Sequence, residues 1–218
     1  MSTKAIGILS VCVVLSGCAS AHIPLNPAVV ETAVPPLQAS ISSRIRKVTN
    51  QSSRLQSVLL VPVAVRILAA AGPVAHNRVS VGALFALQAV GTDEIAGLAL
   101  VFKAVGGGLG PALSVRPTVE IFVDGESIVD GPVLDARLYS IAPGPWGPVE
   151  TVMLPVLPVL LDRIAAGAEA QVVLGNTLHI SLDLDQLSGF TELLGEIPPG
   201  TDFGVRRHYK ALPKFITQ

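Results

Sequence analysis

Beyond position 18 the chain contains no cysteine: its two, Cys12 and Cys18, both fall within the first eighteen of 218 residues. The rest of the protein is thereby closed to disulfides, Cys-based metal sites and Cys nucleophiles. Charge is scarce, at 14% of residues, and aromatics make up only 4%, with a single Trp. Half the residues are hydrophobic, which excludes a disordered chain. With few aromatics, the core has to be built from Val, Leu, Ile and Ala. The formal net charge is −1, so there is no basic footprint for nucleic acid. Also missing are a Gly-x-Ser-x-Gly elbow, a His-Glu-x-x-His helix, a Walker loop and a Gly-x-Gly-x-x-Gly turn between strand and helix. His22, His76 and His208 lie far apart without ligand spacing, which gives a metal site no basis. No cofactor, metal or catalytic residue is expected.

What is present begins at the N-terminus. Met1-Ser2-Thr3-Lys4 carries one positive side chain, and residues 5–15 are apolar except for Gly7 and Ser10. That is the layout of a secretory signal and too short to span a bilayer comfortably. Leu15-Ser16-Gly17-Cys18 follows. It resembles the lipobox of bacterial lipoproteins: an aliphatic residue, two small residues, then Cys. The resemblance covers residues 1–19. It implies that the Cys18 thiol is diacylglycerylated, that the peptide is cut before Cys18, and that the new amine is acylated by a fatty acid such as palmitate. Small residues before the cut fit a peptidase cleft, and several acyl chains anchor far more firmly than one. Ala19 stands where Asp commonly retains such proteins in the inner membrane, so the resemblance implies the outer membrane, facing the periplasm. The expected partners are membrane lipid through acylated Cys18 and an envelope protein.

The length suits one domain behind a stalk. The expected layout is a signal peptide over 1–17, a flexible tether over 18–51, an α+β domain over 52–205 and a basic tail over 206–218. Pro24, Pro27, Pro35 and Pro36 preclude long helices in the tether, and Arg44, Arg46 and Lys47 are its expected first trypsin sites. Charge is segregated: residues 19–92 hold six basic residues against Glu31, whereas 93–202 hold fifteen acids against four basic residues. The basic stretch could touch anionic headgroups or pack against the acidic body.

Within the domain, Leu55, Leu59, Val63 and Ile67 recur every four residues and predict a helix kinked at Pro62, ending at Gly72-Pro73. Alternation over 79–87 predicts a strand. Thr92-Asp93-Glu94 followed by Ile95, Leu98, Phe102 and Val105 predicts a second helix, ended by the glycines at 106–108; a glycine-zipper membrane hairpin over 79–115 is the alternative. Val119, Ile121 and Val123 alternate with polar or larger residues before the Asp124-Gly125 turn. Strands are expected over 133–141 and 149–154, a short helix from about Pro158 to Ala166, and a hairpin of 169–174 with 177–182 across Gly175-Asn176. A last helix, capped by Asp183 or Asp185, should run to Leu194. The fold class is α+β with a mostly antiparallel sheet.

Thr177, His179, Ser181 and Asp183 fall on one face of a strand. Neighbours at i and i+2 stand about 7 Å apart with nearly parallel side chains, which opposes a catalytic triad and favours a solvated face. Asp183-x-Asp185 and Asp124-x-Glu126 could begin an oxygen-ligand cation site but lack the further spacing of a calcium loop, and read better as a cap and a turn. Gly108-Leu109-Gly110, with the strand from Arg116 to Gly125, faintly resembles the carboxylate-binding loop of PDZ domains, although Pro111 and Arg116-Pro117 depart from that pattern. Trp146, among prolines and glycines, is expected to fold back over the sheet; exposed, it would suit a partner or membrane contact. Gly108, Leu109, Gly110 and Trp146 are the weak binding candidates. The expected function is a non-catalytic binding or structural role at the envelope; a lipid-anchored hydrolase or a PDZ-like domain are the alternatives.

Overall fold

The computed structural model describes residues 44–72, 78–91, 93–109, 118–132, 139–175 and 177–203. Cys18, Ala19, Gly110, residues 133–138 of the expected strand and residues 206–218 lie outside them. Among the described residues, eleven strands and two helices run in the order β1 (Ile45–Asn50), β2 (Leu55–Ala64), β3 (Arg66–Ala70), β4 (Arg78–Val90), β5 (Asp93–Val105), β6 (Thr118–Val123), β7 (Glu126–Pro132), β8 (Tyr139–Ala142), β9 (Val149–Pro155), α1 (Pro158–Ala166), β10 (Ala170–Leu174), β11 (Leu178–Leu182) and α2 (Leu184–Gly195). They form a six-stranded sheet, β1-β2-β4-β5-β9-β8, and a five-stranded sheet, β3-β11-β10-β6-β7. Every named pairing is antiparallel, so the α+β class with antiparallel sheet holds.

Both predicted helices in the first half are strands. Residues 58–61 are buried in succession, Val58 and Leu60 into the main core and Leu59 on the opposite face. In β5, Ala96, Leu98, Leu100 and Phe102 enter the main core, while Ala99 and Val101 are buried behind. A strand covered on both faces carries a continuous apolar run, and such a run matches helical spacing by accident. The region of the supposed membrane hairpin is a long β-hairpin in which Arg78 pairs with Val105 and Val90 with Asp93. The predicted kink at Pro62 is instead a register shift between Leu60 and Val63. Opposite it lies Gly82, where an added Cβ would collide with the Leu60 carbonyl and the Pro62 nitrogen. β2 ends at Ala64, and after Val65 the chain passes to the other sheet as β3, a corner of the kind that bulged strands make between sheets.

Residues 45–50, assigned to the tether by sequence, form edge strand β1, paired residue for residue with 55–60. Arg44 and Lys47 reach acids of α2: Arg44 lies 3.4 Å from Asp185 and 3.9 Å from Glu192, and Lys47 pairs with Glu196. For these two residues, packing against the acidic body is the arrangement found.

In the second half most expected elements recur, but the strand expected over 133–141 is described only from Tyr139, as β8, and β7 is a strand that the sequence reading did not place. The β6–β7 turn has Asp124 and Gly125 at φ of 50° and 82°, the left-handed pair that Asp-Gly adopts in tight hairpins. Pro158 opens α1, where its missing N–H costs nothing. Asp183 caps α2 in a capping box: its carboxylate accepts the Gln186 N–H at 2.9 Å, and the Gln186 side chain accepts the Asp183 N–H at 2.7 Å. The main core joins the inner faces of both sheets to the apolar stripes of α1 and α2. A smaller one, Leu59, Leu84, Ala86, Ala99, Val101 and Met153, lies on the other face of the larger sheet.

Candidate functional site

Two of the features singled out in the sequence, the glycines from 106 and the turn that carries Trp146, meet at the end of the larger sheet where β5 stops and the β8–β9 hairpin turns. Gly106, Gly107 and Gly108 follow β5 with φ of 102°, 84° and 105°, a run of left-handed backbone that L side chains resist. The Gly106 N–H donates to the Pro148 carbonyl at 2.8 Å. A Cβ on Gly107 would lie 3.2 Å from Pro148 Cγ and 3.3 Å from Glu150 Oε1, and one on Gly147 would lie 3.4 Å from Gly106 Cα. The glycines thus let the backbone fold flat against the base of the hairpin.

The hairpin closes in a four-residue turn, Gly144-Pro145-Trp146-Gly147, with the Gly147 N–H on the Gly144 carbonyl at 3.3 Å. Proline at the second position fixes its own φ, and Gly147 has φ +103°. A Cβ on Gly144 would come within 2.7 Å of Val149 Cγ2, so that position also requires glycine. Trp146 is held at the apex with 73% of its surface exposed, and Ile141 on β8 is 59% exposed. The expectation that Trp146 folds back is therefore corrected: the turn is drawn tight onto its own base and projects the indole outward. Beneath it, Tyr139 and the buried Glu150 share a side-chain hydrogen bond. Burial, the Glu150 charge and that bond push the Tyr139 phenol up to about 12.

The remaining candidates separate. Leu109 is wholly buried in the main core, where it plugs the interior instead of lining a loop. Both edges of β5 are paired, by β4 and β9, so β5 itself offers no free edge for a PDZ-like peptide. His179 Nε2 lies 2.8 Å from Gln171 Oε1 on the outer face of the smaller sheet, while Leu178, Ile180 and Leu182 are buried on the inner face. Asp124 Oδ1 accepts the N–H groups of Ala168 and Glu169, each at 2.9 Å, and Glu126 pairs with Arg163 at 2.8 Å. Asp183 is used as a cap and Asp185 faces Arg44. Among the described residues no three His, Cys, Asp or Glu side chains gather as a metal site requires.

One cleft went unnoticed in the sequence because its walls are far apart in the chain, 122 residues between Ala64 and Gln186. It holds about 260 Å³ between the end of β2 and the start of α2, lined by Arg44, Leu60, Val63, Asp185 and Gln186. Arg44 Nη1 donates to the Asp185 carbonyl and to Ser188 Oγ, both at 3.0 Å, and the buried Gln186 side chain donates to the Ala64 carbonyl at 3.1 Å. Its polar groups join the two elements, and its volume falls just below the usual range of ligand pockets, about 300–1,000 Å³. Compared with known proteins, the chain matches no family model, no curated protein and no solved structure.

Proposed function

We propose that the protein is a lipid-anchored lipoprotein of the bacterial envelope, held by acylated Cys18, whose domain has a non-catalytic binding or structural role. The observation that carries this reading is Leu15-Ser16-Gly17-Cys18 directly after an apolar stretch. Ala19 at the following position favours the outer membrane, facing the periplasm. No described helix is long and apolar enough to cross a membrane, so the reading draws on the N-terminal signal alone. The non-catalytic role is supported by the positions of the polar candidates. His179 is bonded to Gln171, Asp183 caps a helix and Asp124 holds the strand that follows α1. The exposed Trp146 turn favours contact with another surface.

The test is metabolic labelling with a fatty-acid analogue in a bacterial host. Wild type should be labelled and cut before Cys18. Cys18→Ser should remain an unlabelled, full-length precursor. Labelling of the variant, with cleavage at the same bond, would refute the proposal.

A further inference from the structure

We infer that the turn at residues 144–147 is a membrane-interface contact that seats Trp146 among lipid headgroups, on the same membrane that holds Cys18. The inference rests on the lipoprotein reading for the choice of surface and on the hairpin for the contact.

The first observation is chemical. From Ile141 to Val149 the chain has no charged side chain, and three prolines flank the indole. Residues 143, 145, 146, 147 and 148 are all exposed. A protein partner is ordinarily met by a rim of hydrogen-bonding side chains around an apolar centre. Here the exposed tip offers only an indole N–H on an apolar body, the combination that partitions to the boundary of a bilayer.

The second observation is rigidity. Pro145, the Gly147–Gly144 hydrogen bond and the clamp from Gly106 to Pro148 fix the turn before anything binds. Holding an exposed Trp in place beforehand removes most of the ordering cost of insertion.

The third is position. Ile45 pairs with Leu60, Leu60 with Ala83, Ala83 with Leu100 and Leu100 with Leu154. β1 therefore begins near mid-height of the larger sheet and runs away from the end at which the β8–β9 hairpin turns. The base of that hairpin, Ala142 opposite Val149, lies five residues beyond the level of Ile45, roughly 17 Å at the rise of a strand. Cys18 precedes Arg44 by 26 residues, enough to span up to about 90 Å when extended. A chain held at Cys18 thus has the reach to bring the Trp146 end of the sheet to the same membrane.

Trp146 is the only Trp in the chain and Cys18 the only thiol from residue 18 onward, so both ends of the question have a built-in probe. The chain 18–218, made without acylation, is coupled through Cys18 to maleimide lipid in phosphatidylethanolamine–phosphatidylglycerol vesicles. Trp emission is then compared with that of the uncoupled chain. The expected result is a shift to shorter wavelength, loss of acrylamide quenching, and new quenching by lipids brominated near the headgroup. Unchanged emission and acrylamide access on the vesicle would overturn the inference, as would a shift that appears only when envelope proteins are added. Chemical coupling places the chain on the membrane whether or not a cell acylates it. A negative result here therefore leaves the lipoprotein reading standing, and failed metabolic labelling marks the failure of that reading separately.

Discussion

Tyr139 and Glu150 show how a residue can answer to two demands. Tyr139 is on edge strand β8, opposite Val152, and packs against the main core, yet its hydroxyl meets a buried carboxylate. The folded chain keeps the phenol protonated to about pH 12, whereas an unfolded one releases its proton near 10. The sign follows: this stabilisation is complete below about pH 10 and is lost as pH rises toward 12. Denaturant melts of wild type and Tyr139→Phe should differ by a constant amount from neutral pH to about 9.5, and the difference should shrink above about 10. A difference that does not change with pH would mean that the hydroxyl contributes only packing. Ser57 and Thr151 offer a contrast. Their hydroxyls are buried without a hydrogen-bond partner, on the face of the larger sheet that also carries the smaller core.

At the scale of the element, β11 gives a direct check of register. Leu178, Ile180 and Leu182 are buried, and His179 and Ser181 alternate with them toward the outer face. His179→Ala should stay within about 0.5 kcal/mol of wild type, as surface changes do. Leu182→Ala should cost roughly 2–5 kcal/mol, the range for a core Leu that leaves a cavity. Denaturant midpoints rank the two, and the reverse order would place the strand one residue out of register. This strand was readable from sequence because one of its faces is solvated, so apolar and polar residues alternate. The same holds for β6, and the Asp124-Gly125 turn and the Asp183 cap are local signals that need no tertiary information. β2 and β5 were misread because both their faces are covered, which erases the period of two. The candidate site was half legible. Composition singled out the glycines at 106–108 and Trp146, but their meeting depends on β5 pairing with β9 across some forty residues, which no local pattern encodes.

At the scale of the whole molecule, the described chain opens directly into the larger sheet. β1 completes the edge of the larger sheet and is tied to α2 through Arg44 and Lys47. Exposed ion pairs are individually weak; the paired backbone of β1 does most of the holding. Near the other end of the described chain, the Phe203 ring lies 6.0 Å from Phe85. Both ends are therefore built into the fold. Trypsin treatment of the acyl-free chain should cut after Arg44, Arg46 and Lys47 only at the rate of β1 detachment or global unfolding, because a protease needs several residues of free, extended backbone. Mass spectrometry of early digests should retain residues 44–203 in one fragment. Rapid release of a fragment starting at residue 48 would place β1 outside the stable unit.

The direction of β1 gives the fold a mechanical property. A load carried by the residues before Arg44, applied from the Trp146 end of the sheet, runs along the strand axis and not across it. Sliding β1 past β2 strains the hydrogen bonds of its six residue pairs together, whereas peeling would break them one at a time. The pull arrives first at Arg44, which grips Asp185 and Ser188 on α2, so part of the load passes to a helix seated in the main core. The strand is a shear joint, built to hold against tension along the line by which the domain would be tethered.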